Sequence, residues 1–362
     1  MRIAFVSYDF GEYSIRHANA LQHWGEVLLI LPRQLSDPHL SLVDSQVDFR
    51  PFDKPRLRHP LRQVSRMRWI LRQIRDFRPD VIHLQGGHLW FNMALPRLKA
   101  YALVVTVHDP RHHLGDWGSR NTPHWVMDLG YRRADRIIVH GQQLKDTVAD
   151  SVGIARAQIH VIPMIAVGDR PEVQQVDEEE NLILFFGRIW QYKGLDYLIR
   201  AQPKINRAVP QAKIMIAGKG EDFARYRRIM VDSSRFIVHN HWVSHDERAR
   251  MFQRASVVVL PYVEATQSAV VPVAYTYSKP VVATRTGGLP DLVDHGQTGL
   301  LVPPRDEEAL ADAIIELLSD DQLRRRMGSA GKRKLEAECA PQVVARQTVD
   351  VYQRAIEDSR EH

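Results

Sequence analysis

Short apolar runs alternate with longer amphipathic stretches along the whole chain. Runs at residues 2–7, 27–31, 80–84, 103–107, 137–139 and 159–163 read as buried strands. A polar stretch at 167–181 then interrupts the pattern. It contains Pro171 and the acidic run from Asp177 to Glu180, and has neither a helical nor a strand period. Beyond it the alternation restarts, with strand-like runs at 182–186, 213–217, 236–239, 257–260 and 280–284. Helical spacing fills the gaps, most clearly in Leu61, Val64, Met67, Ile70, Leu71 and Ile74. Continuous apolar strands separated by helices predict parallel sheets covered on both faces. The expected architecture is α/β: two doubly wound, Rossmann-like domains at 1–166 and 182–342, joined by a linker at 167–181. The substrate site is expected in a cleft where the two domains face one another.

Composition supports this size and narrows the class. A chain of 362 residues is long enough for two ordinary domains. Its single cysteine, Cys339, rules out an internal disulfide and suits a reducing compartment. The first apolar run, 3–6, is too short for the core of a secretory leader, and no run approaches the length of a membrane span. A cytoplasmic protein is expected. The formal charge of +6 favours anionic partners without choosing among nucleic acid, anionic lipid and phosphorylated substrates. Much of that charge lies at 55–79, as Arg56, Arg58, Arg62, Arg66, Arg68, Arg72, Arg75 and Arg78. This segment reads as an amphipathic helix with a basic outer face. The face is either simply solvated or rests on an anionic membrane surface from the cytoplasmic side. Nucleic acid is not expected, because only Trp69 offers a stacking ring within the segment.

Candidate chemistry falls in loops that follow predicted strands, where open α/β sheets bind ligands. Arg188 and Lys193 stand five apart after the strand at 182–186, bracketed by Gly187 and Gly194. Glu264 follows the strand at 257–260. Thr266, Gln267 and Ser268 come next, and are predicted to open a helix whose N-terminus makes an anion site. His108 closes the strand at 103–107. His112 and His113 follow it, but without the carboxylate or thiolate spacing of a metal site, so no metal is expected. The first loop contains only Gly11, which argues against a G-x-G-x-x-G dinucleotide fingerprint. Gly218 and Gly220 follow the strand at 213–217.

Taken in order, these motifs resemble the retaining glycosyltransferases of family 4, which have the GT-B fold. The resemblance spans essentially the whole chain. It implies a nucleotide-diphosphate-sugar donor whose diphosphate is gripped by Arg188 and Lys193, and whose sugar is held by Glu264 and met by His108. Gly11, Gly187, Gly218, Gly220, Thr266, Gln267 and Ser268 would line the donor, with Val243 in the base-binding loop. Asp109, Arg111 and Asp116 would face a saccharide or lipid-linked acceptor in a polysaccharide or glycoconjugate pathway. The resemblance further implies that no cofactor or metal is needed, and that the terminal helix, 343–362, returns to the first domain. The sequence departs from the family pattern in two places. Pro272 stands where a second glutamate, eight positions after the first, would hold the ribose, and Thr266-Gln267-Ser268 replaces a Gly-Phe-Gly turn. Two other readings stay open: a sugar-nucleotide epimerase on the same fold, and a non-catalytic relative that binds nucleotide sugars.

Overall fold

The computed structural model describes residues 1–110, 123–169 and 173–361. These divide into two compact units. The first takes the chain up to Ile165 and then resumes with Glu338 and the residues after it, while the second runs from Ala166 to Ala337.

The first unit is built on a parallel sheet of seven strands. They are β1 (Arg2–Ser7), β2 (Glu26–Pro32), β3 (Asp48–Phe52), β4 (Val81–Gln85), β5 (Ala102–Val107), β6 (Arg136–Val139) and β7 (Ile159–Val161), in the order β3-β2-β1-β4-β5-β6-β7. The five residues Ile3, Ala4, Phe5, Val6 and Ser7 of β1 are fully buried, which is why this central strand reads as a continuous apolar run. The edge strand β3, with sequence DFRPF, is one that the apolar pattern does not announce. Only Phe52 is buried in it, and Pro51 is tolerated because an edge strand need not donate on both sides.

Three helices matter for the site: α1 (Gly11–Leu21), α2 (Pro60–Phe77) and the terminal α3 (Pro341–Glu361). Helix α2 buries Gln63, Met67, Ile70, Leu71, Ile74 and Phe77. Leu61 and Val64 do not share that stripe and lie outward, 86% and 36% exposed. The expected apolar face is therefore corrected at its start: Gln63 occupies the buried position there, donating through Nε2 to the Pro55 carbonyl at 2.8 Å. Helix α3 packs into the first unit through buried Val344, Thr348 and Tyr352.

The second unit has a six-stranded parallel sheet: β8 (Leu182–Phe186), β9 (Lys213–Ala217), β10 (Phe236–His239), β11 (Val257–Leu260), β12 (Val281–Thr284) and β13 (Gly299–Val302). Its order is β10-β9-β8-β11-β12-β13. Both sheets are thus open and doubly wound. Strand order reverses between β1 and β4 in one and between β8 and β11 in the other, and such switch points are where ligands bind beyond the carboxyl ends. Among the described residues, no helix is long and apolar enough to cross a membrane.

Candidate active site

The switch point of the second sheet brings together the two motifs that lie farthest apart in the unit. Strand β8 feeds the loop from Gly187 to Gly194. Its neighbour β11 feeds the loop carrying Glu264. The carbonyl of Tyr192 accepts hydrogen bonds from the backbone N–H groups of Val263 (2.9 Å) and Glu264 (3.4 Å), so the two loops are clamped to each other. Gly194 permits this closeness. It sits in the left-handed region at φ 63°, and a Cβ there would lie 1.9 Å from the Pro261 carbonyl oxygen.

Side chains are set by the same contact. Arg188 donates to the Tyr192 hydroxyl at 3.4 Å. The Lys193 ammonium sits 3.7 Å from the ring centroid of Tyr262 and 4.9 Å from that of Tyr192, which holds the cation over aromatic faces. The Tyr262 hydroxyl pairs with Ser268 Oγ at 3.3 Å, and its carbonyl accepts from Thr284 Oγ1 at 2.6 Å. Burial raises the Tyr262 hydroxyl far above its ordinary value, so this wall stays neutral. Tyr192 and Tyr262 were not singled out from the sequence. Their signal was position: one lies between Arg188 and Lys193, the other two residues before Glu264.

The turn after Glu264 differs from expectation. The helix begins at Val270 rather than at Thr266, and runs only to Thr276. Ser268 Oγ accepts from the Val270 N–H at 3.3 Å. Thr266 and Gln267 form an irregular turn against Gly287 and Gly288, with the Gly288 N–H donating to the Thr266 carbonyl at 3.0 Å. A Cβ on Gly287 would lie 1.7 Å from the Ala265 oxygen, so the small pair at 287–288 is what lets this turn sit down. Pro272 is buried in the first turn of the short helix, where its missing N–H breaks no helical bond.

The other glycines are explained by the chain's own packing. A Cβ on Gly218 would meet the Gly187 oxygen at 1.9 Å, and one on Gly220 would meet the Ile189 oxygen at 2.0 Å. The loops after β8 and β9 zip together there, with Gly187 N–H donating to the Ala217 carbonyl and Glu221 N–H to that of Ile189. Gly11 likewise faces the Leu35 carbonyl, 2.1 Å from where a Cβ would be. Val243 lies in the loop after the edge strand β10, and Trp242 beside it is 79% exposed rather than part of the core.

His108 lies in the first unit, at the carboxyl end of β5 next to the β1–β4 switch point. It pairs with Gln85 Nε2, and its ring packs 4.0 Å from Phe10 and 4.8 Å from His140. Phe10 is held at φ 60°, ψ 58°, a rare conformation for a bulky residue, and is 44% exposed. Burial, reinforced by His140, pushes His108 down to about 3, so it is a neutral imidazole at working pH. Behind it runs a buried histidine relay. His17 Nε2 bonds Thr348 Oγ1 at 3.1 Å, and His83 bonds both Tyr352 Oη (2.5 Å) and Thr106 Oγ1 (2.7 Å). Thr348 spends its proton on the Val344 carbonyl, so His17 must donate through Nε2. Asp109 is exposed beside His108. Arg111 and Asp116 lie outside the described residues.

Comparison with known proteins decides the family. The model described as "Glycosyl transferase 4-like domain" matches residues 12–164, and "Glycosyl transferases group 1" matches 180–320. The chain belongs to the group 1, family 4 glycosyltransferases. As such it is similar to the glycogen synthase of Mycobacterium tuberculosis, 29% identical over 311 residues that cover 79% of this chain and 72% of that one. It also resembles the alpha-D-kanosaminyltransferase of Streptomyces kanamyceticus, at 24% identity over 72% of this glycosyltransferase and 74% of the relative. Among solved structures, sucrose-phosphate synthase from Thermosynechococcus elongatus shares the fold with a TM-score of 0.72, 20% identity and 98% coverage of each chain. Anabaena Alr3699/HepE, solved with UDP and glucose, matches with a TM-score of 0.68 and 17% identity, covering 98% of this glycosyltransferase and 99% of that chain. Two parallel α/β units with these neighbours make the fold GT-B.

Proposed function

We propose that this glycosyltransferase moves a sugar from a nucleotide-diphosphate donor to an acceptor with retention of anomeric configuration and without a metal. The observation that carries the reading is the clamp at the β8–β11 switch point, which sets Arg188, Lys193 and Glu264 on two interlocked loops. Departure of the nucleoside diphosphate builds negative charge on the leaving oxygen. Fixed cations stabilise that charge more in the transition state than in the ground state. Arginine supplies a planar fork and lysine a point charge, which suits a diphosphate. Glu264 would hold hydroxyls of the donor sugar, and His108, kept neutral, would hydrogen-bond the sugar without adding charge. No side chain needs to act as a covalent nucleophile; the leaving phosphate can take the acceptor proton. The structural neighbour Anabaena Alr3699/HepE, solved with UDP and glucose, supports a nucleotide donor.

Arg188→Ala and Lys193→Ala are each expected to lower turnover more than tenfold while leaving the unfolding midpoint unchanged. Near-normal turnover in both would overturn the assignment. Turnover of the donor without any acceptor, yielding an isomeric nucleotide sugar, would instead favour an epimerase.

The acceptor side is read from helix α2. Leu61 and Val64 are exposed on it, on one stripe with Arg68, Arg72 and Arg75, an arrangement that suits an anionic membrane surface. On this reading the glycosyltransferase works at such a surface on a lipid-linked or saccharide acceptor of glycoconjugate or polysaccharide synthesis.

A further inference from the structure

Beyond the carboxyl end of β3 the first unit holds a pocket of about 570 Å³, lined by Asp53, Lys54, Arg56, His59, Arg62 and Arg66, among others. That volume suits a small ligand. Its walls are strongly cationic. The single carboxylate, Asp53, is already shared between Arg33 Nε (3.6 Å) and Arg66 Nη2 (3.9 Å). Lys54 is half-buried and steered by the Tyr8 carbonyl at 2.9 Å and Asp9 Oδ1 at 3.3 Å. Among the described residues, Arg56 and Arg62 have no carboxylate within 4.0 Å.

The start of helix α2 opens on the same pocket, and its sequence runs against the usual rule. A helix N-terminus leaves backbone N–H groups without helical acceptors and favours negative charge, so a polar cap and acidic residues are the norm there. Here the capping position is His59, which makes no side-chain cap bond, and the first turn carries no acid. It carries Arg62 instead, with Arg66 one turn on. With Asp53 taken up by Arg33 and Arg66, and Asp9 by Lys54, the charges of Arg56 and Arg62 are left for an anion at this N-terminus.

A buried pair of rings supports Lys54 from behind. The Tyr8 hydroxyl and both ring nitrogens of His88 are buried without a hydrogen-bond partner among the described residues. The two rings stack at 3.9 Å, and Tyr8 also lies beneath the Lys54 ammonium, 5.9 Å from its ring centroid. Burial, and then the charge of Lys54, push His88 down to about 3, so it is a neutral donor–acceptor. Neither residue lines the pocket itself; the stacked pair forms the buried wall on which Lys54 rests.

We propose that this pocket is an acceptor subsite for a phosphoryl group, so that the acceptor of the glycosyl transfer proposed above is a phosphorylated molecule. A phosphate carries close to two negative charges and three strong acceptor oxygens, which matches several cations and amide donors better than a carboxylate does. The subsite rests on the transfer reading for its purpose but not for its binding chemistry. Its phosphate belongs either to a soluble metabolite or to a lipid headgroup.

The test is calorimetry on the full chain with hexose 6-phosphate, the matching hexose and UDP, using the native protein and an Arg56→Ala/Arg62→Ala variant. The phosphate ester should bind at least tenfold more tightly than the hexose, and the variant should lose at least tenfold for the ester while keeping its affinity for UDP. If the ester binds as stated and UDP does not bind at all, the donor reading fails and the subsite stands. A second arm uses vesicles of phosphatidylcholine with phosphatidic acid or with phosphatidylglycerol. Vesicle binding that is tighter with phosphatidic acid than with phosphatidylglycerol at matched charge, and that loses this preference in the Arg56→Ala/Arg62→Ala variant, assigns the phosphate to lipid. No effect of Arg56→Ala/Arg62→Ala in either arm overturns the proposal.

Discussion

The buried histidines of the first unit should make this protein acid-labile well above the range where its carboxylates titrate. His17, His88 and His140 are 2%, 5% and 3% exposed, and burial holds them at about 3, about 3 and about 4. An unfolded histidine titrates near 6.5. The folded values lie below the unfolded one, so the unfolded chain binds more protons once the pH drops below about 6.5. Stability is therefore complete above that pH and is lost as the pH falls toward the folded values. At pH 5 each group costs about 2 kcal/mol, from roughly 1.4 kcal/mol per unit over about 1.5 units, so the three together cost about 6 kcal/mol. That is comparable to the whole stability of many domains. Urea unfolding followed by tryptophan fluorescence at pH 7 and pH 5 would measure the loss. A His17→Gln variant should shed about 2 kcal/mol of the pH-dependent loss, the share of one buried histidine. Equal midpoints at the two pH values would refute the reasoning, as would an unchanged pH slope in His17→Gln.

Three further outcomes are expected. On the proposed mechanism turnover should persist in excess EDTA, with Arg188 and Lys193 standing in for a divalent cation at the diphosphate; loss of activity that magnesium or manganese restores would contradict this. If position 272 is the ribose site that the family resemblance implies, its buried proline offers no carboxylate, and nucleoside diphosphate affinity should fall less than about tenfold, or about 1.4 kcal/mol, on removing the 2′-hydroxyl. A hundredfold preference for ribose in calorimetry would mean that another group, with Thr266 and Gln267 the first to replace, holds the hydroxyls. Sedimentation with vesicles rich in phosphatidylglycerol should exceed that with neutral vesicles, fall in salt, and drop severalfold in an Arg68→Ala/Arg72→Ala/Arg75→Ala variant; equal sedimentation would leave α2 as a solvated face.

Strands buried on both faces, such as β1, β5 and β11, were legible because nothing polar interrupts them. Strand β3 was not, because an edge strand with one buried residue carries almost no apolar signal. On the site, the spacing of Arg188, Lys193 and Glu264 pointed to loops that the structure brings together at one switch point. What sequence could not give was the clamp itself: Tyr192 reaches the neighbouring loop with its backbone carbonyl, a group every residue has. The helix start after Glu264 was misplaced because Thr266, Gln267 and Ser268 have good capping chemistry, while tertiary contact with Gly287 and Gly288 keeps them in a turn. Leu61 and Val64 were read as core from their type, yet α2 turns them outward because Gln63 and Met67 already fill that face. The histidine relay was invisible for a similar reason, since its partners Thr348 and Tyr352 lie at the far end of the chain.

That last pairing has a consequence for how the protein is made. His83 and Tyr352 are 269 residues apart, and the whole second unit, Ala166–Ala337, lies between them. At roughly 5–20 residues per second, a ribosome needs on the order of 15–50 s to deliver the second partner after the first. Strands β8–β13 have all emerged by then and can close their own core, whereas the first sheet waits with the seat of α3 uncovered. The unit encoded first is thus the one completed last. A nonsense codon within α3 would spare the second unit and leave the first as the target for chaperones and proteases.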